Sequence, residues 1–183
     1  MAQNSFGLVE LTSIAAGFEV CDAMLKTAAV QLLLSRSICS GKYVVLVCGD
    51  VGAVKASVQA GSQVGRYSLI DSFVIPNVDE SIAPAISGVN KIDVLEALGI
   101  IESFSVASLI EAADAAVKTA AVKLIEIRLA MALGGKAFVT LTGSVAAVRS
   151  AVEAGAAVVA AKGLLTNKVV IPHPRPELLR EMI

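Results

Sequence analysis

The apolar positions of the chain follow two alternating rhythms. From Ile14 onward, apolar side chains fall at Ile14, Phe18, Cys21 and Leu25, in steps of four, three and four, which places them on one face of a helix. Ser13 stands just ahead of that run as a candidate N-cap. Before it, Gly7 to Leu11 is short and β-like. After it, Val30 to Ile38 reads as an apolar strand, Cys39-Ser40-Gly41 as a short turn, and Tyr43 to Cys48 as a second strand. Two strands with so short a connection predict a hairpin. Gly49-Asp50 then opens a second helix with apolar positions at Val51, Val54 and Val58, and a last strand stops at Ile75-Pro76, because proline has no N–H to give to a ladder.

The whole pattern then returns. Gly7 to Arg36 (GLVELTSIAAGFEVCDAMLKTAAVQLLLSR) is answered by Gly99 to Arg128 (GIIESFSVASLIEAADAAVKTAAVKLIEIR), at a constant offset of 99 − 7 = 92 with KTAAV identical. The helical face recurs at Val106, Ile110, Ala113 and Val117, with Ser105 as its cap. Downstream the second copy carries two extra residues. Gly41-Lys42 answers Gly135-Lys136, Gly49-Asp50-Val51 answers Gly143-Ser144-Val145, and the last strand ends at Ile171-Pro172. The period is too long for a solenoid unit, so the chain reads as a tandem duplication, with one domain over residues 1–92 and another over 93–183. Each has the order β-α-β-β-α-β, an α+β, ferredoxin-like plan. Both helices of a domain must cover the same face of its sheet, which leaves the other face to pack on a neighbour.

Composition sharpens this picture. Of 183 residues, 56% are hydrophobic and only 17% charged. Ordinary soluble domains average roughly 45–50% and about 25%. Small domains have much surface for their volume, so the excess points to subunit interfaces. A membrane span is not the explanation. The longest uncharged stretch, Ala137 to Val148, is twelve residues broken by Thr140, Thr142, Gly143 and Ser144, whereas a spanning helix needs roughly 20 apolar residues. The start, MAQNSFGLVE, lacks the basic and apolar regions of a signal peptide. A net charge of −1, no Trp and 4% aromatics give no footprint for nucleic acid. Three cysteines, Cys21, Cys39 and Cys48, make no disulfide framework, and a cytoplasmic location is expected.

The stretches GLVELTSIAAGFEVCDAMLKTAAV, SGKYVVLVCGDVGAVKASV and VIP, with DAAVKTAAV, GGKAFVTLTGSVAAVRSAV and VVIPHP in the second copy, resemble the bacterial microcompartment shell protein domain. Two copies in one chain resemble the tandem-domain class of that family, most of all members from propanediol-utilisation compartments. The resemblance implies a homotrimer that closes into a pseudohexameric ring of six domains. Such rings tile with other shell proteins around a metabolic enzyme set, with encapsulated redox enzymes among the expected partners. An enzyme is the weakest reading of the chain, because no base–nucleophile pair is visible in the sequence.

The same resemblance places the turn after the second strand at a central pore. The expected pore residues are then Ile38, Cys39, Ser40 and Gly41 from one copy and Leu133 and Gly134 from the other, where Met131-Ala132-Leu133-Gly134 stands and no cysteine recurs. A threefold axis brings three copies of Cys39 together. The resemblance implies one [4Fe–4S] cluster per trimer on three Cys39 ligands, thiolates being the usual ligands of such centres. The fourth iron then takes a non-protein ligand. The cluster either carries electrons across the shell or is a supply for enzymes inside. A pore for small molecules without a cluster, and a ligand-binding ferredoxin-like regulatory protein, are the competing readings.

Other residues carry weaker signals. Lys26 and Lys118 recur in DAMLK and DAAVK, and the resemblance places them at the shell edge, with His173 and Arg175 near the edge position that follows the final proline. His173 is the only histidine, and between Pro172 and Pro174 it is a poor general base. Cys21 and Cys48 read as core residues, and no CxxC or Cys/His pattern supports a zinc site. Glu10 and Glu102 repeat by position, which points to a structural or interface role in both copies. No P-loop or GxGxxG is present.

Overall fold

The hairpin, the two helices and the two outer strands expected in each copy are all formed. The computed structural model describes residues 4–88, 90, 92, 94–175, 177 and 178. In the first copy β1 spans Ser5–Leu11, α1 Ile14–Thr27, β2 Gln31–Ile38, β3 Lys42–Gly49, α2 Val51–Val64 and β4 Leu69–Ile75. A short helix, α3 (Ile82–Ser87), follows. The second copy runs β5 (Ala97–Ser103), α4 (Val106–Thr119), β6 (Lys123–Arg128), β7 (Ala137–Gly143), α5 (Val145–Ala161) and β8 (Leu165–Pro172). The sheets have the orders β2-β3-β1-β4 and β6-β7-β5-β8, antiparallel throughout. That is the split βαβ arrangement, with β3 inserted between β1 and β2.

The chain gathers into two compact units. One holds the residues up to Val78 together with Ser105–Ser108 and Ala130–Lys136; the other holds the rest. The expected junction between residues 92 and 93 involves Asp93, which lies outside the described residues.

In the first unit the period-two rule sorts β1 and β3. Val9, Leu11, Tyr43, Val45 and Val47 turn to one face and pack on Val20, Met24, Val54 and Val58 of the two helices. Gly7 is there because a Cβ would lie 2.5 Å from Val58 and 2.6 Å from Val54. Ser13 caps α1 as the sequence predicts, accepting from Ala16 N–H at 3.3 Å. Asp50 caps α2, accepting from Gly52 N–H at 2.9 Å. In the second unit, Gly99 and Gly155 make the matching close approaches. A Cβ on Gly155 would lie 2.7 Å from the carbonyl oxygen of Ala112.

The apolar stripe on α1 corrects one expectation. Cys21 is half-buried and packs against the core, but Ile14, Phe18 and Leu25 are 43, 65 and 39% exposed. The buried line of α1 is Gly17, Val20 and Met24, one step round the helix. In α4 the same repeated stripe is covered: Val106, Ile110 and Ala113 are at most 1% exposed. One stripe thus has opposite fates in the two copies.

Helix α3 was not legible in the pattern. Six residues carry less than two turns of periodicity, and Pro84 reads as a breaker although it sits in the first turn, where its missing N–H costs nothing. What holds α3 is the burial of Ile82 and Ala85, and Asp79, whose carboxylate accepts from the N–H and hydroxyl of Ser81. Gly88 closes it in the left-handed conformation at φ 72°.

Candidate functional site

The residue that set the two copies apart sits on a tight, doubly anchored turn. β2 ends at the buried Ile38, and Cys39–Gly41 forms a single helical turn before β3. Ser40 and Gly41 take φ of 60° and 76°. Gly41 adopts this freely, whereas a serine there stores of order 1–2 kcal/mol. The compensation is on both sides of Cys39. Its N–H donates to Ala130 O at 2.7 Å, and its Sγ accepts from Ala132 N–H at 2.7 Å.

Both partners, an acceptor and a donor, lie in the loop of the second copy that corresponds to the turn. Ala130, Ala132, Gly134 and Gly135 all have positive φ (43°, 58°, 61° and 85°), so this seven-residue segment of the first unit curls tightly on itself. Lys136 N–H closes it onto Leu133 O at 3.2 Å. Gly135 is favoured by its conformation, and a Cβ there would also lie 2.8 Å from Ser40 Oγ. The doubled glycine and the two-residue insertion were the sequence signals of this loop. That it clasps the Cys39 turn was not legible, because the clasp is made by backbone groups.

Cys39 is half-buried and has an amide donor aimed at its sulfur. Thiolates are the usual ligands of iron–sulfur centres, and hydrogen bonds to the sulfurs help set their potential. Among the described residues of one chain, no three His, Cys, Asp or Glu side chains converge to hold a metal ion. Cys48 is buried, and that burial raises its thiol pKa.

The repeated lysines keep the same local partner. Lys26 pairs with Asp22 and Lys118 with Asp114, each at 2.6 Å and one turn back along the helix. Asp114 also accepts from Asp79 N–H at 2.9 Å. His173 has φ 48°, and its N–H donates to Glu96 O at 2.9 Å. Arg175 is exposed, 3.7 Å from Glu177.

A second polar cluster lies in the first unit, around one of the repeated acids. Glu10 is fully buried. Its Oε1 meets Lys42 Nζ at 3.0 Å. Its Oε2 takes the Ser105 hydroxyl at 2.8 Å and Ala107 N–H at 3.1 Å, a carboxylate seated on the N-terminus of α4. The Ser105 hydroxyl also lies 2.9 Å from Asp71 Oδ2, to which Ser108 donates at 2.5 Å. Ser105 in turn caps its own helix, accepting from Ser108 N–H at 3.0 Å. The repetition of Glu10 and Ser105 in sequence marked two members of this cluster. Asp71 and Ser108 carried no signal.

Comparison with known proteins places this architecture. Residues 5–78 and 97–174 each match the BMC domain. Over 98% of both chains, the sequence is 44% identical to the bacterial microcompartment shell protein PduT of Citrobacter freundii. The crystal structure of a microcompartment protein from Desulfitobacterium hafniense DCB is 53% identical and superposes with a TM-score of 0.87, covering 98% of this chain and 99% of that one. A fused permuted hexameric shell protein of the RMM microcompartment shares the fold at a TM-score of 0.65 and 22% identity, over 85% of this chain and 81% of that one. No helix among the described residues is long and apolar enough to cross a membrane. With two matched domains and a relative similar along nearly its whole length, the chain belongs to the bacterial microcompartment shell protein family, a structural family whose place is the microcompartment shell.

Proposed function

We propose that three chains close into a six-domain ring that tiles the shell, and that the ring holds one [4Fe–4S] cluster on three Cys39 thiolates at its threefold axis. The observation that carries this reading is the Cys39 turn. It presents a thiol with an amide donor on its sulfur, and it occurs in one copy only, so a ring of three chains has three such thiols rather than six. Bound there, the cluster supplies one-electron transfer across the shell, or a store of cluster for enzymes inside. The chain's own residues set the site. Ala130 O fixes the backbone of Cys39, Ala132 N–H offsets negative charge on the sulfur, and Gly41 lets the turn reverse. The fourth iron takes a non-protein ligand. The likeness to PduT supports a compartment of the propanediol-utilising type.

Anaerobic purification tests it. The expected product is a brown trimer with about one cluster per three chains by iron and sulfide analysis. Cys39→Ser is expected to bleach it and leave the trimer intact. A colourless, iron-free trimer after anaerobic reconstitution overturns the cluster and leaves a simple pore. For tiling, Lys26→Asp is expected to spare the trimer while abolishing extended sheets in electron micrographs. Its local cost is only a few tenths of a kcal/mol for a like-charge pair with Asp22, so the fold survives. Sheets that still form remove Lys26 from the edge.

A further inference from the structure

We infer that the chains of the ring lock together through Glu102 of one chain and the N-terminus of α1, Ser13 to Ala16, of the next; this rests on the ring proposed above. The argument begins with a contact that the first unit already makes within itself. There Glu10 receives the Ser105 hydroxyl and Ala107 N–H at the start of α4. The repeat supplies a second copy of each half. Glu102 corresponds to Glu10, and Ser13, Ile14 and Ala15 correspond to Ser105, Val106 and Ala107.

Both remaining halves are less buried than their counterparts. In β1, Leu8 and Glu10 are fully buried. Their counterparts in β5, Ile100 and Glu102, are only half-buried and line an open recess of about 260 Å³ with Phe138, Asn167, Lys168 and Val169. The strand registers confirm the correspondence: Glu10 faces Val44 and Asp71, and Glu102 faces Phe138 and Asn167. On the helix side, Ile14 and Phe18 directly follow the Ser13 cap and are exposed, whereas Val106 and Ile110, which follow Ser105, are buried. An apolar stripe and an apolar recess are thus left open on one chain, each with a polar group of the same pair beside it. A contact that joins two different patches is heterologous, the kind that generates a ring when its rotation closes.

The differences between the copies fit the same assignment. In the first unit, Asp71 takes the hydroxyl of Ser108. At the corresponding places stand Asn167 and Ala16. The carboxylate that needs a second hydroxyl has one, and where that hydroxyl is missing the carboxylate is replaced by an amide. Asn167 keeps the pose of Asp71: each side-chain oxygen accepts from the next residue's N–H at 2.9 Å. A carboxylate has about four acceptor sites, and Glu10 shows one such group serving a lysine, a hydroxyl and a backbone amide together.

The experiment measures trimer dissociation on dilution of the full chain by analytical ultracentrifugation, for the wild type, Glu102→Ala, Ser13→Ala and the double variant. Each single change is expected to raise the dissociation midpoint by about tenfold or more, as loss of a hydrogen bond to a charged group does. The double variant is expected to fall well short of the product of the two, because both changes remove one interaction. Far-ultraviolet circular dichroism separates lost folding from lost association, and Glu102→Gln, which keeps the shape, is expected to lie between Glu102→Ala and the wild type. A wild-type trimer that Glu102→Ala leaves unmoved, or strictly multiplicative single effects, overturns the lock alone. A wild-type chain that never leaves the monomer overturns the ring and the lock together.

Discussion

Glu10→Ala is expected to destabilise the folded chain by about 3 kcal/mol, near the lower end of what breaking a buried ion pair costs. Glu10 has no exposure and serves three donors at once. Without it, Ala107 N–H faces a void, and an unsatisfied buried amide costs roughly 1–3 kcal/mol. Lys42 keeps 16% of its side chain accessible, so its ammonium regains some water, and this holds the cost to the lower end. Ser105 retains Asp71. Glu10→Gln is expected to lose less, about 2 kcal/mol. Its amide must point an N–H group either at Lys42 or at the start of α4, and so it turns one favourable contact into a clash of donors. Urea denaturation of the full chain reads both values. Losses under about 1 kcal/mol for Glu10→Ala would sink the role assigned to this carboxylate. The same substitution at Glu102 is expected to act on the association of chains, a readout that separates the two repeated acids by experiment.

What was legible in the sequence was what the repeat stated twice. The hairpin, the caps at Ser13 and Ser105, and the strands ending at Pro76 and Pro172 follow from spacing and from the chemistry of single residues. The helical stripe of Ile14, Phe18, Cys21 and Leu25 was real, but its periodicity says only that four residues share a face. It does not say what covers that face, and in α1 the described residues leave Ile14, Phe18 and Leu25 substantially exposed. Excess apolar composition had already pointed to interfaces, so the exposed stripe is that excess given an address. The site was half legible. Cys39 stood out because the second copy lacks it, and Glu10 because the second copy keeps it. The partners that define their chemistry, the Ala130 carbonyl, the Ala132 amide and the Asp71 carboxylate, lie far off in sequence. Two of the three are backbone groups that every residue possesses, and no pattern of side chains reports them.

The second large effect runs against local propensity. In an exposed helix interior, glycine to alanine gains about 1 kcal/mol, so Gly17→Ala in α1 would be chosen as a stabilising change from sequence alone. The packing reverses the sign. A Cβ at residue 17 would lie 2.2 Å from Cδ1 and 2.3 Å from Cγ of Tyr43, where ordinary contact begins near 3.4 Å. The ring has little room to yield. Tyr43 is 3% exposed, its hydroxyl is hydrogen-bonded with Ser35 Oγ at 2.9 Å, and Phe18 packs against it with ring centroids 5.2 Å apart. Relief therefore has to come from lifting α1 off the sheet, which costs about 3–4 kcal/mol, at or beyond the top of the usual range for overpacking. The net expectation is a loss of about 2–3 kcal/mol, a fall in Tm of roughly 5–10 °C for a chain of this length. Tyr43→Leu supplies the control: in that background, which lacks the ring, Gly17→Ala is expected to cost far less, so the pair shows strong coupling in a double-mutant cycle. A Gly17→Ala chain as stable as the wild type would mean that α1 shifts freely. Because α1 carries both the Ser13 cap and the exposed stripe, a freely shifting helix would also weaken the case for a fixed docking geometry between chains.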